Sequence, residues 1–312
     1  MKTLVKISIK LAALAIVASA SSPVTAYTSQ AFIKRTAEFA EVANWAYCHQ
    51  TQNEITIGDV KFQRDADWST DVVDGYRAVV GSTHHVLINF CGTRTDVGWG
   101  IGDVIRDVQG AVVSTPAQNA WLSSSNGKGV GLGFQKRAFN YMKSQSSNKA
   151  GRLQEYLDLR AGMVGGKTVI HTVGHSLGGA ASQLVSYYLS EYMGEEGFLP
   201  NKFKIYNFAY NSPQSVGAGF QAAFHAEVDR GYLTPYSFLV KRDPISTWAT
   251  SYMHPIATGD QVAEFAPQVD APAQVDNHKL NDERIQQLGT LTAWQASTAA
   301  NMASKYLPGC KL

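Results

Sequence analysis

One stretch limits the fold more than any other. Thr168-Val-Ile-His-Thr-Val173 runs directly into Gly174-His-Ser-Leu-Gly-Gly179, and the helix-forming run Ala180-Ala-Ser-Gln-Leu-Val185 follows without a break. A β-branched run, a glycine-bounded serine and a helical run in succession predict a strand–turn–helix with Gly-x-Ser-x-Gly at its apex. Such a turn holds its serine in a strained backbone geometry with the hydroxyl exposed. Side chains at 174 and 178 would collide with the neighbouring strand and helix. Ser176 is therefore the candidate nucleophile, and the N–H of Leu177, unpaired at the first turn of the helix, is a candidate oxyanion donor. His175 is expected to belong to the packing of the turn, because its adjacent position points it away from the Ser176 hydroxyl.

The surrounding pattern is that of a βαβ sheet. Strands are predicted at Tyr76 to Val80, His85 to Phe90, Thr168 to Val173, Phe203 to Ala209, Tyr236 to Val240 and Gln261 to Phe265. Their near-continuous hydrophobicity implies a mostly parallel sheet covered by helices on both faces. Helices are predicted at Ser29 to Tyr47, Phe134 to Lys143, Leu177 to Met193, Val216 to Val228 and Asp282 to Lys305; in the last, Ile285, Leu288 and Leu291 repeat at helical spacing. Residues 95–130 lack strand signals, as an inserted functional cover would.

The first residues, Met-Lys-Thr-Leu-Val-Lys, an apolar run from Leu11 to Ala18, and small residues ending Val24-Thr25-Ala26 read as a secretory signal peptide over 1–26. A membrane anchor would need about twenty apolar residues, and Lys10 cuts this run short. Export to a periplasm or the medium is expected, with residues 27–312 forming a single domain. Removing Lys2, Lys6 and Lys10 from the 27 basic residues leaves 24 against 25 acidic ones, a formal −1. With no Lys/Arg block, that balance gives no footprint for nucleic acid or an anionic membrane. Of the three cysteines, Cys91 sits in strand-like sequence and is expected to be the buried odd thiol, leaving Cys48 and Cys310 as a pair. No Cys-x-x-Cys occurs, so no metal site is expected and no cofactor is implied. The cluster Gly165-Gly166-Lys167-Thr168 is not a phosphate loop: it lacks the first glycine, Ala161 standing there, and it precedes a strand instead of following one.

A serine nucleophile needs a base, and the base a carboxylate that fixes its tautomer. Asp243 follows the strand Tyr236 to Val240, where loops at strand carboxyl ends carry chemistry, although an Asp opening a turn before Pro244 reads equally as structural. Asp260, Asp270 and Asp276 are rivals. For the base, His225 falls inside a helical pattern, whereas His254 and His278 both lie in loops and are not separable from residue type and position alone.

Together these residues resemble the class 3, fungal-lipase-like lipases of the α/β-hydrolase superfamily, over most of residues 27–312. Besides the elbow, Ile88-Asn-Phe-Cys-Gly-Thr93 resembles the family strand ending Phe-Arg-Gly-Thr/Ser, and Trp99 to Val104 resembles its lid stretch. Val130-Gly-Leu-Gly-Phe134 and Phe208 to Gly217 resemble two further elements. The resemblance implies Thr93 as second oxyanion donor, Asp243 as acid by an incomplete match of Asp243-Pro-Ile-Ser246, and His278 as base through His278-Lys-Leu280. It also sets His254 at a non-catalytic position. A disulfide from the first helix to the C-terminus is implied as well, matching Cys48 and Cys310; in the chain-entropy model closing so long a loop is worth roughly 5 kcal/mol. The family arginine before Gly-Thr is Cys91 here, so substrate preference does not transfer.

The implied activity is hydrolysis of lipid esters, of the triacylglycerol lipase or phospholipase A type, by a monomer acting at a lipid–water interface. Ile101, Val104, Ile105 and Val108 share one helical face beside Trp99. They are lid candidates, and equally the remainder of a core. Two other classes stay open: an esterase on soluble aromatic or acetyl esters such as feruloylated polysaccharide, and a non-catalytic binding protein on the same scaffold.

Overall fold

The computed structural model describes residues 29–45, 52–70, 72–92, 129–131, 134–135, 138, 141–142, 151–163, 165–246, 253–256, 262–265, 278 and 282–288. The segment 1–26, the cover region from 95 to 128, Thr93, the candidates Trp99, Ile101, Val104 and Ile105, the pair Cys48 and Cys310, and Asp260, Asp270 and Asp276 lie outside the described residues.

Among the described residues, eight strands form one sheet in chain order: β1 (Glu54–Ile57), β2 (Val60–Arg64), β3 (Val73–Val80), β4 (Thr83–Phe90), β5 (Lys167–His175), β6 (Phe203–Tyr210), β7 (Leu233–Val240) and β8 (Val262–Phe265). β1 to β4 pair antiparallel, whereas β4 to β8 are parallel neighbours. Every strand predicted from apolar runs is present. The β1–β2 hairpin is additional, and β3 begins at Val73 instead of Tyr76. β1 and β2 alternate exposed and buried residues, so they carry no continuous apolar run. Their connection is the two-residue turn Gly58-Asp59, with Ile57 opposite Val60 and Gly58 at φ 60, the backbone that a glycine-first hairpin turn demands.

The helices are α1 (Ser29–Trp45), α2 (Gly151–Ala161), α3 (Leu177–Glu195), α4 (Ala218–Asp229) and α5 (Asp282–Leu288), with residues 134, 135, 138, 141 and 142 also helical. Alternate residues of the parallel strands serve two cores. Val169, Val173, Tyr206, Phe208 and Tyr236 meet Phe32, Phe39 and Val42 of α1 and Leu288 of α5 on one face. Ile170 and Ile205 meet Ala181, Leu184 and Val185 of α3, Phe220 and Phe224 of α4, and Leu157 of α2 on the other. Both faces are covered, and the fold is that of an α/β-hydrolase. The apolar pattern does not predict α2, and α4 starts two residues later than that pattern implies. Val216 instead forms bridges to Val130 and Met253, and Gly217 caps the helix in an extended conformation.

Under α1, His85 of β4 and His171 of β5 are completely buried and stack with centroids 5.8 Å apart and 11° between planes. Phe39 and Tyr206 flank His171, and Phe62 meets the edge of His85. None of the four ring nitrogens has a hydrogen-bond partner among the described residues. Burial, aided by adjacent His84, pushes His85 down to about 4. Burial likewise holds His171 well below the ordinary histidine range, helped by His85 and Arg35.

The unfolded chain therefore binds protons near pH 6.5 that the folded chain refuses. Stability is fully present above that pH and falls as pH drops, by about 3 kcal/mol for His85 by the time its folded pKa is reached. Thermal unfolding from pH 7 to 4 should show a steeper loss of Tm in the native chain than in a His85→Leu/His171→Leu variant. Equal slopes would contradict it.

Candidate active site

β5, β6 and β7 are each followed closely by a residue at positive φ: Ser176 at 56° and Asn211 at 45°, one residue beyond their strands, and Arg242 at 63°, two residues beyond β7. Each left-handed residue turns the chain sharply at the carboxyl edge of the sheet, so three loops that are distant in sequence converge. For a non-glycine residue such a backbone costs on the order of 1–3 kcal/mol and persists only where its surroundings impose it.

Around Ser176 the glycines do what the sequence required of them. A Cβ on Gly174 would lie 2.3 Å from the Gly178 carbonyl oxygen, and one on Gly178 would lie 2.2 Å from the Phe90 oxygen of β4. Both obstacles are backbone, so neither site tolerates a side chain. The Ser176 N–H donates to Tyr210 O at 2.9 Å, and its carbonyl accepts from Ala180 N at 3.2 Å as α3 begins. Leu177 is the first residue of α3, where its N–H has no intrahelical acceptor.

Below the elbow a buried polar net ties α3 to the sheet. The Asn207 amide donates to Thr172 Oγ1 at 3.0 Å and to Ser182 Oγ at 2.9 Å, and Ser182 Oγ donates to Gly179 O at 2.8 Å. These bonds hold the helix start, and with it the Leu177 N–H, against β5 and β6.

Asp243 follows the Arg242 turn and is completely buried. Its Oδ1 accepts the Ile245 N–H at 2.8 Å. His278 lies four residues before α5, which packs on α1 and so anchors that part of the chain. His278 Nδ1 is 3.1 and 2.9 Å from the two Asp243 oxygens, and Nε2 is 2.7 Å from Ser176 Oγ. A carboxylate only accepts, so Nδ1 carries the proton and donates it to Asp243. The other nitrogen of the neutral ring is then left to accept the Ser176 hydroxyl.

Of the sequence candidates, the structure brings Ser176, Asp243 and His278 together, with Leu177 beside them. His225 lies within α4. His254 is directed elsewhere, its Nε2 donating to Ser246 O at 3.0 Å. Burial lowers the His254 pKa, while the Ser246 carbonyl and nearby Asp243 oppose the shift. His175 and Asn211, whose positions in sequence announced no such role, both hydrogen-bond the main-chain oxygen of His278. Among the described residues no group of three or more His, Cys, Asp or Glu side chains is placed to hold a metal ion. No helix there is long and apolar enough to cross a membrane.

Comparison with known proteins meets this geometry at the elbow. Residues 113–253 match the lipase (class 3) family. The class 3 lipase match takes in Ser176 and Asp243 and ends before His278, which the fold alone brings to the site. Among solved structures, M37 lipase superposes with a TM-score of 0.53 at 12% identity, over 88% of this chain and 97% of its own. Rhizomucor miehei lipase in its propeptide complex gives 0.47 at 18% identity, over 80% of this chain and 76% of its own. A triacylglycerol lipase from Penicillium expansum gives 0.45 at 15%, over 80% and 83%. No curated protein matches by sequence. The resemblance to class 3 lipases supports a lipase-like hydrolase.

Proposed function

We propose that the chain is an exported carboxylic ester hydrolase acting on lipid esters through an acyl-enzyme on Ser176. The observation that carries it is the continuous line of hydrogen bonds from Asp243 through the His278 ring to the Ser176 hydroxyl. His278 accepts the Ser176 proton as Oγ attacks the ester carbonyl, and Asp243 stabilises the resulting imidazolium. The oxyanion is held by the N–H of Leu177, at the positive end of α3, together with the N–H of Thr93 that the family resemblance implies. Collapse of the tetrahedral species expels the alcohol with the proton from His278. Water, deprotonated by His278, then attacks the acyl carbon and releases the acid.

Residues 27–312 act as one α/β-hydrolase domain, consistent with the unbroken sheet from Glu54 to Phe265. The segment 1–26 is removed on export, Cys48 pairs with Cys310, and the stretch around Trp99, Ile101, Val104 and Ile105 covers the site as a lid.

The substrate class is tested with a panel of emulsified long-chain triacylglycerol, phospholipid vesicles and a soluble feruloyl ester, each assayed with the native chain and with Ser176→Ala. Hydrolysis of a glyceride or phospholipid by the native chain alone is expected. Turnover confined to the feruloyl ester would replace the lipid substrate with a soluble one.

A further inference from the structure

We propose that His175 and Asn211 are positioning residues that clamp the main-chain carbonyl of His278 from two sides, setting the base between nucleophile and acid. The inference rests on the triad reading given above and adds to it the means by which His278 is placed.

The clamp is visible atom by atom. His175 Nε2 lies 2.7 Å and Asn211 Nδ2 3.2 Å from His278 O, so both lone pairs of that carbonyl are engaged by buried donors. The orientation of the Asn211 amide follows from its other end, where Oδ1 accepts the Val240 N–H at 3.1 Å. Its own N–H donates to Phe238 O at 2.7 Å. Asn211 thus joins the end of β7, three residues before Asp243, to the backbone of His278. His175 does the same from the other side, being covalently next to Ser176. Its ring also lies 4.8 Å from the His278 ring, tilted by 32°.

Each arm of the clamp therefore ties His278 to one of its two partners through rigid strand ends. The two side-chain bonds of the imidazole have only to fix the ring torsions. Without the clamp, the base would depend on bonds that form and break during turnover.

The chemistry of the arms suits the task. A carbonyl accepts only, so His175 holds a proton on Nε2 throughout, and burial keeps the second proton off, with the charge of the nearby His278 ring acting in the same direction and the hydrogen bond to the His278 carbonyl opposing it. When His278 becomes imidazolium during acyl transfer, the nearest ring is uncharged and offers it no repulsion. Asn is also the side chain best suited to the left-handed backbone at 211 while carrying both a donor and an acceptor.

The test is steady-state hydrolysis of p-nitrophenyl butyrate, with the rate of Ser176 labelling by a fluorophosphonate and the Tm measured on the same samples. His175→Phe keeps the ring and removes the donor, and His175→Gln restores a donor at similar reach. Asn211→Asp keeps the acceptor for Val240 and the tolerance of left-handed backbone, but turns an oxygen toward His278 O. Displacing a catalytic group by about 1 Å costs on the order of 100-fold. On that scale His175→Phe and Asn211→Asp should each lower kcat and the labelling rate by roughly 10- to 100-fold. KM should stay within about twofold, and His175→Gln should recover to within about threefold of the native kcat.

The inference is overturned if His175→Phe retains kcat within about threefold, or if a folded His175→Gln is as slow as His175→Phe. Should His175→Phe fail to fold, Asn211→Asp decides alone: native kcat there overturns the clamp. Failure of the triad reading looks different, since the native chain itself would then not be labelled at Ser176.

Discussion

Replacing Ser176 with alanine is expected to lower kcat by on the order of 10⁶. The change removes one oxygen and leaves the elbow intact. Alanine keeps the Cβ that the left-handed backbone at φ 56 already accommodates, and the Gly174–Gly178 approach does not involve position 176. What disappears is the proposed nucleophile, the hydroxyl that lies 2.7 Å from His278 Nε2. The Leu177 N–H at the start of α3 and the binding surface remain, so a residual acceleration over water of roughly 10³–10⁴ is expected from them. Turnover of p-nitrophenyl butyrate measures the loss, and an unchanged Tm shows that it is chemical.

Asp243→Asn is expected to cost on the order of 10⁴ in kcat with little change in KM. The substitution is nearly isosteric at a completely buried position, so packing is preserved. The side-chain oxygen is drawn to the Ile245 N–H that Oδ1 accepts at 2.8 Å in the native chain. The amide nitrogen then faces His278 Nδ1, which must become the acceptor, and the ring proton moves to Nε2. A protonated Nε2 cannot take the Ser176 proton. The loss thus arises from the wrong tautomer, in a site whose heavy atoms have hardly moved. Activity should return partially as pH rises and hydroxide substitutes for the base, and a pH series on Asp243→Asn reads this directly. A variant with native kcat at neutral pH would contradict the role of Asp243.

How far the fold could be read in advance depended on where apolar residues were continuous. The central parallel strands are covered on both faces, so β4 to β7 appear as near-continuous apolar runs, and the turn at Ser176 is written in glycines whose positions backbone contacts dictate. The β1–β2 hairpin alternates and so carries no continuous apolar run, and its one local signal is the turn Gly58-Asp59 between Ile57 and Val60. At 216 the pattern misleads in the opposite sense: Val216 extends an apolar helical pattern, yet its backbone bonds go to Met253 and its bridges to Val130 and Met253.

The candidate site divides in the same way. Ser176 could be found by local pattern, because its constraint is local. Two loop histidines could not be separated by position, since what distinguishes them is three-dimensional: His254 spends its Nε2 on Ser246 O, while His278 bridges Asp243 and Ser176. The roles of His175 and Asn211 were not legible at all. A histidine beside a nucleophile and an asparagine after a strand are ordinary residues until the fold delivers the carbonyl they share. Thr93, implied by resemblance, lies beyond the described residues, and its place as a donor remains part of the proposal.

The central claim is that Ser176 is a nucleophile activated by His278. Its most direct test is reaction of the native chain with a fluorophosphonate, followed by peptide mass spectrometry. One adduct per chain, on the peptide containing Gly174 to Gly179, is expected, with no adduct in Ser176→Ala and strongly slowed labelling in His278→Ala. A folded native chain that takes up no label at Ser176, or a Ser176→Ala protein that still hydrolyses esters, would contradict it.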